Sequence, residues 1–345
     1  MTELLLDQLR PRVAACAGQW RAGTEVRDIV PLTGGTSSLT YIVHLDSEDI
    51  DGEDIDGEDI DSEPLPIVLK VAPPGLEPIR NRDVLRQARL QQALQGQPRG
   101  LAPEVLFSDA GDPPFMAMTL VAGECVEPVL ADEPVDPDWV RARFSDAARV
   151  LAALHRVVPG EVGLGDEPVV GLAAEVQRWT RAFTTLPAPL RGEYERAAEL
   201  LLAAVPAALA PVVNHGDFRL GNTLCEAGHI NAVIDWEIWS IGDPRIDLSW
   251  LTYFLDDARH PAVAPGWVAG TPKRDELVAE YEQAAGRRMA ELDWFHALTR
   301  YKEAATTGLL LKRAAKLNRP LKPSMSRMTP ALPRLVQEAV EILGG

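Results

Sequence analysis

The sequence is poor in cysteine and in long apolar runs, and each shortage excludes a class of protein. Only three cysteines occur in 345 residues, Cys16, Cys125 and Cys225, and none is spaced as CxxC. A disulfide framework and a structural zinc site are therefore not expected. No apolar stretch reaches the roughly eighteen residues of a membrane-spanning helix, and the N-terminal segment has no basic region before its apolar part. We expect a cytoplasmic protein with no membrane partner.

Basic residues are outnumbered by acidic ones, 34 to 51, which gives a net charge of -17. This balance argues against a nucleic-acid-binding surface, so no nucleic-acid partner is expected. Eleven of the acids lie between Asp46 and Glu63, in a segment that contains EDIDG, EDIDG and EDIDS but no base. Calcium loops also contain closely spaced aspartates, but the order D-x-[DN]-x-[DN]-G-x5-E is absent. We interpret 46–63 as a solvated low-complexity insertion.

The apolar pattern divides the chain into two regions. Up to about residue 121, short β-branched runs such as LTYIVHL, PIVLKV and PFMAMTLV predict a small, mostly antiparallel sheet, interrupted by one helix within 81–95. From about residue 137 the pattern is helical. The predicted fold class is α+β, with an N-terminal domain over 1–121 and a helical C-terminal domain over 122–345. Gly123, in TLVAGE, permits a hinge between them.

One segment, VNHGDFRLGNTLCEAGHINAVIDWE, concentrates polar side chains. His215, Asp217 and Asn222 share an eight-residue loop, and Asp235 follows thirteen residues after Asn222. NTLCE and HINAVID predict a hairpin, which would place Asn222 and Asp235 about 5 Å apart, as opposed residues of paired strands are. Two oxygen ligands at that spacing suit a hard cation such as magnesium. Asp, four residues and then Asn is also the spacing of phosphotransfer sites.

These motifs, HGDFRLGN followed by IDWE and GDPRIDLSWL, resemble the aminoglycoside phosphotransferase and choline kinase group of small-molecule kinases. They are especially similar to phosphotransferases related to the kinase-like domain of acyl-CoA dehydrogenase fusions. The resemblance runs from about residue 33 to 312. It implies a two-lobed protein-kinase-like fold, ATP and Mg2+ as cofactors, and a small-molecule hydroxyl acceptor. It makes Asp217 the catalytic base, Asn222 and Asp235 the magnesium ligands, His215 an organiser of the loop, and Asp247 a brace from the next helix.

The first region is expected to supply the nucleotide site. In LTGGTSSLTY, Gly34 and Gly35 let the backbone approach a ligand, and the hydroxyls of Thr36 and Ser37 can meet phosphate oxygens. The GxxxxGK[ST] and GxGxxG patterns are absent, so P-loop and Rossmann folds lose support. Lys70, at the end of PIVLK, is expected to neutralise the α- and β-phosphates, with a strand-edge lysine as the alternative.

Further roles are expected in the hinge and the loop. Backbone groups near Met118, Thr119 and Val121 are expected to meet the adenine. Arg219 is expected to spread the charge that develops on the transferred phosphoryl group, with an ordinary surface arginine as the alternative. Glu237 is either a second metal carboxylate or a solvent-facing residue.

The sequence departs from the family pattern at two positions. Ser38 stands where members often carry asparagine, and Gln87 stands where a kinase normally aims a helical glutamate at the lysine. Glutamine can hydrogen-bond an ammonium but cannot neutralise it. Asp83, one helical turn earlier, is a possible substitute. Gln87 is the feature that supports an alternative function, a nucleotide-binding pseudokinase with a regulatory or scaffolding role. The sequence predicts neither the acceptor nor the oligomeric state.

Overall fold

The computed structural model describes residues 2–32, 38–47, 63–97, 100–131, 133 and 135–345. The turn that contains Gly34, Gly35, Thr36 and Ser37 lies outside the described residues, as does most of the acidic insertion 46–63, so the predictions for both remain predictions. The described chain forms two compact units. The first comprises the residues up to 122 together with 232–238, and the second comprises 123–231 and 239–345.

The first unit is built on a five-stranded antiparallel sheet in the order β1-β2-β3-β5-β4. Its elements are α1 Thr2–Trp20, β1 Thr24–Leu32, β2 Leu39–Ser47, β3 Leu65–Val71, α2 Val84–Leu94, β4 Val105–Asp109 and β5 Phe115–Thr119. The predicted strands and helix are confirmed, and β4 was missed. VLFSD has no regular alternation of apolar and polar residues, and it becomes an edge strand because β5 pairs with it.

The two faces of this sheet bury different residues, because successive side chains of a strand point to opposite sides. One face packs against α1, where Leu9 and Leu69 belong to the same core cluster. Lys70 alternates with Leu69 and pairs in register with Met116 of β5. Met116 packs against Ala88 of α2. Lys70 therefore lies on the sheet face that carries α2, and it is 7% exposed.

The second unit is mainly helical, as predicted. Its helices are α3 Pro137–Leu154, α4 Leu172–Thr184, α5 Tyr194–Ala203, α6 Arg245–Tyr253, α7 Arg274–Ala285, α8 Leu292–Lys316 and α9 Pro323–Ile342. Residues of α4, α5, α6, α8 and α9 form one core, in which Phe183 lies between Tyr194 and Tyr301 with ring centroids 5.2 and 4.7 Å away. Trp179 and Trp250 belong to this core. Across the described ranges, no helix has the length and apolar character that crossing a bilayer requires.

Short strands carry the polar segment. β6 Val169–Val170, β10 Ser240–Gly242 and β7 Val212–Asn214 form one small sheet, and β8 Thr223–Glu226 pairs with β9 His229–Val233. The predicted hairpin is confirmed, and Ala227 and Gly228 take the positive φ angles of 47° and 82° that its two-residue turn requires. Two details differ from the prediction. Asn222 closes a 3-10 turn before β8, and Asp235 lies two residues beyond β9 with φ 66°.

Gly123, the predicted hinge, begins the second unit. Its φ is 135°, and a Cβ atom there would lie 2.8 Å from the backbone nitrogen of Cys225. Glu124, the next residue, exchanges backbone hydrogen bonds of 2.8 and 3.0 Å with Cys225. The close approach of these two backbone segments explains why a residue without a side chain is needed at position 123. The predicted hinge motion at Gly123 stays a prediction.

Candidate active site

The loop 215–222 is tied to α6 by one buried carboxylate. β10 pairs antiparallel with β7, and α6 begins three residues after β10. Asp247, in the first turn of α6, has no exposed surface and accepts the backbone N–H groups of His215 at 2.6 Å and Gly216 at 2.9 Å. Burial alone would raise the pKa of Asp247, but the neighbouring His155 and these hydrogen bonds lower it below its ordinary value. An ionised acid therefore holds the start of the loop.

Two buried histidines support this connection. His215 is fully buried, and its Nδ1 accepts the backbone N–H of Asp217 at 3.2 Å, which closes the turn. His155, the C-cap residue of α3, lies with its Nε2 3.7 Å from Asp247 and its Nδ1 2.7 Å from the Tyr281 hydroxyl. Burial lowers the pKa of His155. Both histidines hold the loop in place through hydrogen bonds and packing.

The Asp217 carboxylate is held at both oxygens. Its Oδ2 accepts a hydrogen bond from Asn222 Nδ2 at 2.8 Å, and its Oδ1 accepts one from Trp250 Nε1 at 2.6 Å. Arg219 Nε lies 3.5 Å from the same Oδ1. The side chain is 29% exposed. An ionised acceptor makes strong hydrogen bonds, so this carboxylate has a defined orientation. Its exposed part remains accessible to a small molecule.

Asn222 is fixed by the same loop. Its Nδ2 donates both to the Asp217 carboxylate and to the Asp217 carbonyl oxygen, each at 2.8 Å. Because the amide nitrogen is used in this way, the amide oxygen is the atom that can bind a cation. Asn222 is 5% exposed.

Arg219 lies between acids and an aromatic ring. Its guanidinium carbon is 5.5 Å from the centre of the Phe254 ring, and Nη1 is 3.6 Å from Glu127 Oε2. Glu127 also accepts the backbone N–H of Gly221 at 3.0 Å. Burial would lower the pKa of Arg219, but Asp217 and Glu127 outweigh it, so the pKa is raised. The guanidinium is thus a permanent positive charge beside Asp217.

Within the first unit, Lys70 pairs with Asp235. Lys70 Nζ lies 3.3 Å from Asp235 Oδ1, and the two side chains are 9% and 46% exposed. Asp83, the possible substitute partner of Lys70, is the N-cap residue of α2 and accepts the backbone N–H of Arg86 at 2.9 Å, and its role toward Lys70 stays a prediction. The carboxylate that meets the ammonium comes from the segment after β9.

Gln87 lies on the buried side of α2. It is 1% exposed, and its Nε2 donates to the carbonyl oxygen of Asn81 at 3.4 Å. Its Oε1 is buried without a hydrogen-bond partner among the described residues. The interaction of Gln87 with Lys70 stays a prediction.

The remaining predicted residues lie at the end of β5 and after β9. Met118 pairs in register with Val68, and the Thr119 N–H donates to the carbonyl oxygen of Glu104 at 2.9 Å. Val121 follows the strand and is half-buried. Glu237 lies in the 3-10 turn Trp236–Ile238 and is half-buried. Their proposed roles toward adenine and metal stay predictions.

The comparison with protein families decides the identity of this fold. The model of the Phosphotransferase enzyme family, APH, matches residues 28–295, most of the chain. The chain belongs to this family. A curated relative, "Acyl-CoA dehydrogenase family member 10" of Mus musculus, is 28% identical to the APH chain over 127 residues. The match covers 35% of this chain and 12% of that much longer protein.

Solved structures share the fold of the APH chain. A Ralstonia eutropha protein assigned to the aminoglycoside phosphotransferases has a TM-score of 0.73 and 19% identity, with 100% of this chain and 98% of that one covered. The GDP complex of an aminoglycoside 2'-phosphotransferase-IIIa mutant has a TM-score of 0.58 and 14% identity, with 97% and 96% covered. At these identities the likeness shows the fold alone. The predicted two-lobed, protein-kinase-like α+β fold is confirmed.

Three residues around the loop of the APH chain were missed by sequence analysis: Glu127, Trp250 and Lys302. Trp250 lies three residues after Asp247, so both face the loop from one side of α6. Lys302 is part of a Lys-Glu pair in the middle of α8, where the neighbouring residues are buried. A charged pair in a buried helix segment is a usable signal. Glu127 carries no such signal, because no motif surrounds it.

Glu127 predicts a pH-dependent stability of the APH chain. Burial, above all, raises its pKa from 4.5 to about 7. The folded state therefore binds this proton more tightly than the unfolded state, so the contribution of Glu127 to stability is fully present below pH 4.5 and is lost as the pH rises through 7. Between pH 5 and 8 the loss from this group is at most about 3 kcal/mol. Urea unfolding of wild type and Glu127→Gln at both pH values measures it.

The Glu127→Gln variant is expected to lose less stability than wild type over this pH interval, because glutamine does not titrate. Glu161→Gln, at an exposed position, provides the charge-matched control and is expected to follow wild type. Equal pH slopes for wild type and Glu127→Gln would contradict the assignment.

Proposed function

We propose that this APH-family chain transfers the γ-phosphoryl group of ATP to a hydroxyl group of a small molecule, with Mg2+ as cofactor. The observation that supports this most is the arrangement of Asp217. Its oxygens are held by Asn222 and Trp250, Arg219 lies 3.5 Å away, and part of the carboxylate stays exposed. An oriented, accessible carboxylate beside a cation suits the activation of a hydroxyl group for phosphoryl transfer.

In this proposal, Asp217 orients the acceptor hydroxyl and takes its proton as the new oxygen–phosphorus bond forms and the bond from the γ-phosphorus to the β–γ bridging oxygen breaks, so that ADP leaves. Arg219 stabilises the negative charge that develops on the transferred group. Lys70, whose ammonium is nearly buried, is assigned to the α- and β-phosphates. The protein therefore contributes mainly positioning and charge stabilisation.

Asn222 and Asp235 are assigned to magnesium. The amide oxygen of Asn222 and the half-exposed carboxylate of Asp235 fit a hard cation that keeps few protein ligands. Mg2+, when bound, would neutralise negative charge on the phosphates. Among the described residues, no group of three or more His, Cys, Asp or Glu side chains is arranged to hold a metal ion.

The proposed acceptor is a hydroxylated acid or its thioester. Support comes from the relative named as an acyl-CoA dehydrogenase family member. Amino sugars are the competing class, because the structural neighbours are named aminoglycoside phosphotransferases. The two classes differ in charge, so they can be separated by a screen.

The test is ADP release from ATP by the full-length chain, with and without Mg2+, against hydroxy acids, their thioesters, simple alcohols and amino sugars. A Mg2+-dependent rate above the no-acceptor background is expected with a hydroxy acid or thioester. ADP release with amino sugars alone would overturn the proposed acceptor class but would still support a phosphotransferase activity. No release with any acceptor or with a metabolite extract, despite ATP binding seen by calorimetry, would overturn the transferase itself.

That last outcome would favour the second candidate, a nucleotide-binding pseudokinase. One observation supports it: Gln87 is buried on α2, where a kinase carries a glutamate, and its Oε1 has no hydrogen-bond partner in the described part of the chain. Gln87→Glu separates the alternatives. Restored transfer in this variant would show that the missing carboxylate limits activity, and continued inactivity would support a binding role.

A further inference from the structure

Trp250 contacts the proposed base through its only polar atom. The indole Nε1–H donates to Asp217 Oδ1 at 2.6 Å, from a side chain in α6 that is 5% exposed. The ring lies in the aromatic group of α6, with the ring centroid of Phe254 at 5.9 Å and that of Tyr253 at 6.3 Å. Because its neighbours fix the ring, the direction of the N–H bond is fixed as well. Of the groups that hold Asp217, this one comes from outside the loop.

Lys302, in α8, contacts the same ring. Its ammonium lies 4.0 Å from the centre of the Trp250 ring, in the geometry of a cation–π interaction. The same ammonium donates a hydrogen bond to the carbonyl oxygen of Gly216, the residue before Asp217. Burial lowers the pKa of Lys302, although Asp217, Glu175 and Asp247 oppose this effect. Burying an ammonium is costly, and its contacts here are with the loop and with the ring that orients Asp217.

The two side chains therefore fix different parts of one residue pair. Lys302 holds the backbone at Gly216, and Trp250 holds the carboxylate at Asp217. Asp247 already holds the N–H of Gly216 from α6. Gly216 is thus bound to two helices at once, its N–H to α6 and its carbonyl oxygen to α8, so the backbone before Asp217 cannot turn without breaking a buried hydrogen bond.

We propose that Trp250 and Lys302 are positioning residues that hold the Asp217 carboxylate in one orientation toward the acceptor. We refer to these two side chains as the indole–ammonium brace. The proposal deepens the proposed function and rests on it for its kinetic consequence, while the brace itself is testable without activity. A base must meet its hydroxyl within hydrogen-bond distance, and a misplacement of about 1 Å costs about 10²-fold in rate.

The first test observes the brace directly. In protein labelled with 15N at the indole nitrogens, the eight tryptophans give eight N–H signals, and Trp250→Phe identifies that of Trp250 by its disappearance. Asp217→Asn replaces an ionised acceptor by a neutral one, which weakens the hydrogen bond. The Trp250 proton is expected to show the largest upfield shift of the eight. An unmoved Trp250 signal would overturn the brace, whether or not the chain is a kinase.

The second test separates positioning from binding. With the acceptor found by the screen, Trp250→Phe and Lys302→Met are expected to lower kcat about 10²-fold and to leave the KM for ATP within about twofold, while Lys302→Arg recovers part of kcat. If the brace had only a structural role, the variants would lower the thermal midpoint without lowering kcat selectively relative to the KM for ATP. Wild-type kcat in Trp250→Phe would overturn the positioning role. If either variant fails to fold, the Asp217→Asn spectrum still decides the contact, since Asp217 is partly exposed; the Trp250 signal is then assigned through its proton contacts with the neighbouring Tyr253 and Phe254 rings.

Discussion

Replacing Asp217 by asparagine is expected to lower kcat about 10³-fold, within the range that general-base catalysis contributes. Asparagine has the same shape and can still accept the N–H of Trp250, but it cannot take a proton. In the wild type, Asn222 Nδ2 donates a hydrogen bond to the Asp217 carboxylate. In the variant this donor would face the new amide NH2 group, which is also a donor, so a loss of about 1 kcal/mol in the free energy of unfolding is expected. Initial rates of ADP release at saturating ATP and acceptor measure the effect.

Asp275→Asn is the matched control for this variant. Asp275 is exposed in the first turn of α7, so the same change of charge is expected to leave kcat unchanged. The KM for ATP of Asp217→Asn is expected to stay within about threefold of wild type, because positioning of the hydroxyl and not nucleotide binding is lost. A kcat reduced less than tenfold would exclude Asp217 as the base.

Replacing Asp247 by asparagine is expected to lower the free energy of unfolding of the second unit by about 3 kcal/mol. Asp247 accepts the N–H groups of His215 and Gly216 with its two oxygens and has no exposed surface. Asparagine offers one oxygen and one amide group, so one of these buried N–H groups loses its acceptor and faces another donor. Calorimetry is expected to show a thermal midpoint about 10 °C lower, and kcat is expected to fall because the loop loses its anchor.

Asp256→Asn distinguishes an anchor of the loop from any acid that accepts several backbone hydrogen bonds. Asp256 accepts the backbone N–H groups of Ala269, Gly270 and Thr271, which belong to a different segment. It is expected to lower the thermal midpoint while kcat, measured well below the transition, stays unchanged. Equal loss of kcat in both variants, or a wild-type midpoint for Asp247→Asn, would contradict the anchoring role.

Much of the fold could be predicted because its signals are local. Short apolar runs marked β2, β3 and β5, and the pair of strand candidates NTLCE and HINAVID marked the β8–β9 hairpin. β4, with the sequence VLFSD, offers only three apolar residues, and its place in the sheet comes from pairing with β5. The position of Asp235 was also not predictable from the spacing of the strands. This residue adopts a left-handed backbone conformation, which aspartate tolerates, so it lies beyond the strand instead of at its end.

The motif HGDFRLGN was enough to select Asp217 and Asn222, because only four residues lie between them and short-range geometry brings them into contact. The partners of the loop follow a different rule. Trp250 is 33 residues from Asp217, Lys302 is 86 residues from Gly216, and Glu127 is 94 residues from Gly221. No local pattern encodes contacts at such distances. They exist because α6, α8 and the segment after Gly123 pack around one loop, and only the folded chain decides which side chains meet there.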